Sequence, residues 1–294
     1  MFWAETGILG FGKMPSDCMQ ILFDMGVKIK FVYETESSPF SPLQTVCQKN
    51  NVPFGRPTQR EILELLDRIE EPTVIFSINN NYIFPPQVVE KTNLRIINFH
   101  NALLPYYRGH GLSIPPWIIF NGERRHGVTW HLIDEHLDTG RILCSDVFDV
   151  KENDTALTLA MRCIQRGIAL FSKQLEAMLD FTFLEVRQDG QNNDIYKNPL
   201  MSHMYRKREL PNNGFLDTSW GFEECSRFLR SMDYGPYRLL PMPKIVIDND
   251  TYLIKKYRVQ ELPPKKEGNR HDPVRLTFEE GEIVLRVEKE KRHG

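Results

Sequence analysis

A chain of 294 residues, 41% apolar and 26% charged, can bury a sizeable core and has the composition of a globular protein, not a low-complexity one. Its 37 basic and 39 acidic residues leave a net charge of −2, without the basic excess that gives nucleic-acid binders their affinity. Five widely spaced cysteines with no CxxC pair argue against a zinc knuckle or a disulfide framework and fit a reducing cytoplasm. Met1 to Gly12 carries Glu5 and lacks the basic start and long apolar run of a signal peptide, and no stretch approaches the ~20 apolar residues that span a bilayer. A cytoplasmic protein with no nucleic-acid and no membrane partner is therefore expected. The basic run at residues 289–293 reads as a solvated tail.

In chain order, Gly7 to Gly12 ends a first strand. Its glycines do not have GxGxxG spacing, and Lys13-Met14-Pro15 interrupts the helix start where a phosphate would sit, so a tight turn is expected. Asp17 to Met25 predicts a helix capped by Ser16, and Val27 to Tyr33 a second strand. A short helical stretch follows at Gln44 to Asn50. Thr58 to Glu70 is a stronger helix, because Thr58 and Glu61 have capping-box spacing. Thr73 to Ile78 and Leu94 to Phe99 are the near-continuous apolar runs of strands covered on both faces. Strand, helix, strand in succession predicts a parallel α/β sheet, with ligand sites beyond the carboxyl ends of its strands.

Gly127 to Ile133 and Ile142 to Val150 are further strands, and Asn153-Asp154-Thr155 opens a long packing helix to Leu179. Gln188 to Asn198 and Arg206 to Asn213 are polar, as in a linker or surface excursion. A helix at Phe222 to Met232 precedes four short β-like runs: Lys244 to Ile247, Tyr252 to Tyr257, Val274 to Phe278 and Glu282 to Val287. The predicted organisation is an α/β domain over 1–180, a linker over 181–210 and a small β-rich domain over 211–294.

The chemistry lies between Ile96 and Ile142. Asn98 and His100 stand two apart at a strand end and so project to one side. An amide N–H and a protonated imidazole both suit an oxyanion developing on a carbonyl. Asp138, in the turn Leu-Asp-Thr-Gly, would favour the imidazolium or accept a proton. With no Ser or Cys nucleophile in the motif, direct attack by a substrate amine is indicated. His126, His131 and His136 recur every five residues, which matches neither a strand face nor a helix face. They read as surface or second-shell histidines ahead of metal ligands. Tyr106 and Tyr107 read as exposed side chains that could stack on a ligand.

The ordered words Asn98-x-His100-x-x-Leu-Leu-Pro105-x-x-Arg108-Gly, Asn121-Gly-Glu, Gly127-Val-Thr and Asp138-x-Gly-x-Ile142 resemble the N10-formyltetrahydrofolate-dependent formyltransferases. The resemblance is dense over residues 72–180 and implies a Rossmann-like catalytic domain. Carried onto matching positions, Asn98 and His100 would polarise a formyl oxygen, and Asp138 would support the imidazolium and help take the amine proton. The folate would lie along Tyr82, Ile83, Phe84, Leu104 and the loop Asp134, Glu135, His136, with no metal required. Tyr106, Arg108 and His110 are candidate acceptor contacts, though Arg108 could instead pair structurally with a carboxylate. The sequence departs from the tRNA-formylating branch at Asn101-Ala102, and at Glu34 to Pro42, an acidic, proline-bearing stretch where that branch carries a basic loop. The expected acceptor is thus a primary amine on a small molecule, an amino acid or peptide metabolite. A sugar-nucleotide acceptor, a formyltetrahydrofolate hydrolase and a catalytically silent folate-binding protein are the rivals. The oligomeric state is left open, a dimer included.

Overall fold

A computed structural model describes residues 5–36, 40–180, 182, 185–188, 203–207, 209–261 and 274–290. Most of the expected 181–210 linker, and residues 291–294 at the end of the basic tail, lie outside the described residues. In chain order the elements are β1 (Glu5–Gly10), α1 (Lys13–Asp24), β2 (Ile29–Glu34), α2 (Pro42–Asn50), β3 (Phe54–Gly55), α3 (Gln59–Asp67) and β4 (Thr73–Ile78). Next come α4 (Pro86–Val89), β5 (Leu94–His100), β6 (Arg108–Gly109), α5 (Ile114–Phe120), β7 (Arg125–Leu132), β8 (Ile142–Asp149) and α6 (Ala156–Asp180). The rest are β9 (Met204–Tyr205), β10 (Phe215–Leu216), α7 (Phe222–Ser231), β11 (Lys244–Ile247), β12 (Asp250–Glu261), β13 (Val274–Thr277) and β14 (Gly281–Lys289). Among the described residues, no helix is long and apolar enough to cross a membrane.

The chain divides into two compact units. One is built from Met1–Gly111, Gly127–Phe148 and Arg162–Met204, the other from Leu112–His126, Asp149–Met161 and Tyr205–Gly294.

The first unit holds a seven-stranded sheet in the order β3-β2-β1-β4-β5-β7-β8. From β3 to β5 neighbouring strands run parallel, as the strand–helix alternation predicts, but β5 and β7 pair antiparallel. Every residue of β4 is buried, because helices cover both of its faces. One core joins α1 and α6 to the sheet through Phe76, Trp130 and Phe171, whose rings meet edge-on or tilted.

The α3 capping box forms as predicted: Thr58 Oγ1 accepts from the Glu61 N–H at 3.3 Å, and the Thr58 N–H donates to Glu61 Oε2 at 2.7 Å. The α1 start differs. Ser16 lies inside the helix, buried, and does not cap it; the helix opens at Lys13 after Gly12, whose φ of 88° favours glycine. Pro15 does not interrupt it, because first-turn N–H groups have no acceptor within the helix. The same logic admits Pro115 and Pro116 near the start of α5, a helix that the sequence reading did not contain.

The second unit contains a five-stranded sheet in the order β10-β11-β12-β14-β13. Helix α7 buries Phe222, Cys225, Phe228 and Leu229, positions at helical spacing, against Ile245, Ile254, Ile283 and Leu285 of the sheet. This β-rich unit agrees with the strand pattern read from the sequence.

Candidate active site

Strand β5 ends in Asn98-Phe99-His100. Alternation sends Phe99 into the core, 5.3 Å from the Trp130 ring, and leaves Asn98 and His100 on the opposite face. Strand β7 lies beside it with His131 directly across from Asn98 and Thr129 across from His100. These four side chains and Asp138 make the site.

Asn98 Nδ2 donates to His131 Nε2 at 3.0 Å, while His131 Nδ1–H donates to the Leu132 carbonyl at 2.8 Å. The two contacts define a neutral imidazole whose Nε2 lone pair accepts. His131 is buried, and desolvation pulls its pKa down to about 4; Asp138 opposes this shift and His100 adds to it. It therefore stays uncharged at neutral pH and holds the Asn98 amide. An amide nitrogen carries two protons, so one remains for a ligand.

His100 is buried, and its Nε2–H donates to the Tyr107 carbonyl at 2.9 Å. That contact leaves Nδ1 turned toward Asp138, 3.8 Å from Oδ2. Tyr107 sits at φ 53°, a left-handed conformation that is uncommon for a bulky residue and that delivers its carbonyl to the histidine. Asp138 is also left-handed, at φ 56°, and buried. Its Oδ2 accepts the Gly109 N–H at 2.9 Å, and its Oδ1 lies 3.8 Å from His131 Nε2. At 3.8 Å neither histidine contact is a direct hydrogen bond. The carboxylate thus flanks both rings while its orientation is set by a backbone N–H.

The turn carrying Asp138 is fixed at both ends. Asp134 Oδ1 accepts from the Thr139 hydroxyl at 2.6 Å and from the His136 N–H at 3.3 Å. Gly140 packs so closely on β7 that a Cβ there would stand 1.7 Å from the Leu132 carbonyl oxygen. On the other side, the Thr129 hydroxyl donates to the Ala102 carbonyl at 2.7 Å and accepts the Leu104 N–H at 3.2 Å. The loop leading to Tyr107 is thereby tied to the same strand. Leu104–Pro105 is a cis peptide.

Asn98, His100 and Asp138 are therefore brought together. Of the expected folate contacts, Tyr82 and Phe84 share one apolar cluster with Ile133 at the end of β7, while the Ile83 side chain is 70% exposed. Leu104 is fully buried and offers backbone only. Glu135 and His136 are exposed. Tyr106 and Tyr107, read as exposed, are instead buried, because the loop folds back under the site. Arg108 makes no ion pair among the described residues. Its Nη2 reaches Gln188 Oε1 at 3.4 Å, and Gln188 Nε2 donates to the Gly140 carbonyl at 2.6 Å, which seats Arg108 over the Asp138 turn. His110 is half-buried beyond it.

Of the three regularly spaced histidines, His136 is on the surface, while His126 and His131 are buried, and His131 stands behind Asn98, in keeping with the expectation of surface or supporting histidines. Sequence reasoning missed the role of His131, the Tyr107 carbonyl and the Gly109 N–H. Only the β5–β7 register could have exposed the first, and backbone groups leave no trace in residue type.

The formyl transferase family pattern matches residues 29–175. Over 252 residues the chain is 29% identical to GDP-perosamine N-formyltransferase of Brucella melitensis, covering 84% of this chain and 90% of that protein. Over 238 residues it is 32% identical to methionyl-tRNA formyltransferase of Clostridium novyi, covering 79% and 69%. The structure of the N-formyltransferase from Helicobacter canadensis, in complex with folinic acid and dTDP-3-aminofucose, superposes with a TM-score of 0.73 at 19% identity, covering 97% of this chain and all of that one. WlaRD, a sugar 3N-formyl transferase solved with dTDP and 5-N-formyl-THF, gives 0.71 at 18% identity over 97% and 98%. The fold is that of the N-formyltransferases, an α/β sheet with a smaller β-rich part. The chain belongs to the formyl transferase family, and it is an enzyme of formyl transfer.

Proposed function

We propose that this chain transfers the formyl group of N10-formyltetrahydrofolate to the amine of an amino-sugar nucleotide. The observation that carries formyl transfer is the β5–β7 ladder, which holds Asn98, His100 and His131 on one face with Asp138 against it. For the acceptor, the likeness to GDP-perosamine N-formyltransferase reaches 90% of that protein's length. The likeness to methionyl-tRNA formyltransferases is shorter, 57% of the Clostridioides difficile protein and 69% of the Clostridium novyi one. The exposed Glu36 just after β2 also disfavours a tRNA phosphate backbone, whereas Glu34, at the end of β2, is buried and paired with Arg56. These facts move the preferred acceptor from the amino-acid or peptide amine expected from sequence to the sugar-nucleotide alternative.

The site fits the folate donor. Its donors are an amide and an imidazole with no side-chain nucleophile between them. Beside the catalytic turn stand apolar groups, the Tyr82–Phe84–Ile133 cluster with exposed Ile83 and a half-exposed Leu137, suited to a flat ring. Tyr82 to Phe84, Leu104 and Asp134 to His136 would hold it. Bound there, N10-formyltetrahydrofolate supplies the activated formyl group.

The protein's part is positioning and charge. The second Asn98 N–H and a protonated His100 Nδ1 donate to the oxygen on which negative charge develops. Asp138, 3.8 Å from His100 Nδ1, lies where a proton leaving the amine can be received, directly or through water. The Gly109 N–H and the Tyr107 carbonyl keep both groups aimed, so little reorganisation accompanies reaction.

The test is formamide production, read by mass spectrometry, from N10-formyltetrahydrofolate and a panel of GDP- and dTDP-linked amino sugars, amino acids and methionyl-tRNA. Turnover confined to amino-sugar nucleotides is expected. Turnover confined to free amino acids or peptides would sink the sugar reading, and formate release without any amine would mean a hydrolase.

A further inference from the structure

Arg108 stands between the two backbone groups that aim the site: the Tyr107 carbonyl accepts from His100, and the Gly109 N–H donates to Asp138. Those contacts are made by the main chain and would not require a cation at this position. The Arg108 side chain is half-buried, and it makes no ion pair among the described residues. Its Nη2 meets a neutral acceptor, Gln188 Oε1, at 3.4 Å, and its Nε is buried without a hydrogen-bond partner. Withdrawing a cation from water without a counter-charge costs free energy. The N–H groups left over at the outer edge of the guanidinium match the paired oxygens of a carboxylate or phosphate.

Gln188, which holds the guanidinium, is itself fastened. Val186 and Ile142 exchange backbone hydrogen bonds at 2.8 and 2.9 Å, and Glu185 pairs with Arg95 at 3.2 Å and with Arg141 at 2.8 Å. The segment 185–188 is thereby strapped to the start of β8, and the Gln188 amide reaches the Gly140 carbonyl at 2.6 Å, two residues past Asp138. The neighbouring acids are engaged elsewhere. Glu185 serves the two other arginines, Asp134 accepts from Thr139 and His136, and Asp138 accepts from Gly109 and flanks two imidazoles. A half-buried guanidinium is thus held beside the Asp138 turn with its charge uncompensated, an arrangement that suits anionic oxygens arriving from outside the chain.

We propose that Arg108 binds an anionic group of a substrate, phosphate or carboxylate, beside the Asp138 turn. It rests on the formyl-transfer reading only for the two substrates that could bring that anion: the diphosphate of a nucleotide-linked acceptor, or the glutamate carboxylates of the folate. The test needs no turnover. Calorimetry on the full chain uses GDP, dTDP and a stable N10-formyltetrahydrofolate analogue as probes, with wild type, Arg108→Gln and Arg108→Lys. Arg108→Gln should weaken one class of probe about tenfold or more, and Arg108→Lys, which keeps the charge but not the fork, should lose less. A loss confined to GDP and dTDP assigns the anion to the acceptor's diphosphate. A loss confined to the analogue assigns it to the folate's carboxylates. Thermal melts separate binding from a structural role: with no ion pair to break, unliganded Arg108→Gln should melt at or above the wild-type temperature. Weaker binding of both classes together with a lower melting temperature marks a structural residue and overturns the proposal. So does wild-type affinity for every probe in both variants, or no affinity for any probe in the wild type. A wild type that binds the nucleotides but not the analogue sinks formyl transfer instead, and the nucleotide affinity of Arg108→Gln then decides this site by itself.

Discussion

His131 shows how much of this site is set by one neutral imidazole. It accepts from Asn98 and cannot do so once protonated, so its depressed pKa is part of the arrangement. Between pH 6.5 and about 4 the unfolded chain binds a proton at this residue that the native chain does not, so stability falls as the pH drops through that window. The loss amounts to about 3 kcal/mol by pH 4. Chemical denaturation at three pH values should show a flatter slope in His131→Leu than in the wild type; equal slopes would mean that His131 does not titrate this way. In the same variant kcat should fall by about tenfold or more with KM for folate kept, because Asn98 loses its orientation. With His100 as the proposed donor to the reacting oxygen, kcat in His100→Ala should drop by roughly 10²- to 10³-fold. That Asn98, His100 and Asp138 lie together was legible in the sequence, because they sit in a dense run of words. His131 was not, because its meaning comes from a strand thirty-three residues away.

At the level of elements, the predictions concern how helices and turns are fastened. Removing the α3 N-cap with Thr58→Ala should cost about 1 kcal/mol, read from a denaturant midpoint at unchanged slope. Gly140→Ala is more severe. Its Cβ would meet the Leu132 carbonyl at 1.7 Å, so the Asp138 turn must shift off β7. Activity should fall below detection even if the variant folds, and a fully active Gly140→Ala enzyme would show that the turn is not held as described. The boxed start of α3 and the apolar run of β4 were readable because each obeys a local rule. Helices α1 and α5 were misplaced or missed because proline in a first turn resembles a breaker. The antiparallel entry of β7 was likewise hidden, since strand polarity depends on the connection and not on the strand's own residues.

For the whole molecule, ligand binding and folding are linked. A stable folate analogue at one hundred times its Kd should stabilise the chain by about 2.7 kcal/mol. The gain should be nearly equal in His100→Ala, since the expected folate contacts are apolar and backbone groups elsewhere. Thermal melts with and without the analogue check this, and loss of the shift in the variant would place His100 in folate binding as well as in chemistry. The β-rich second unit was legible in outline from its short alternating strands.

The pairing of β5 with β7 also bears on how such a protein diversifies. Asn98 and His131 face each other in one ladder, and a one-residue slip would turn both away together. Insertions inside residues 96–100 or 127–132 are therefore forbidden territory for directed evolution. The segment leading from Gly109 to α5, by contrast, lies outside that ladder. Libraries meant to retarget the acceptor should randomise that connection and leave the ladder untouched, and survivors should keep their turnover chemistry while changing whom they serve.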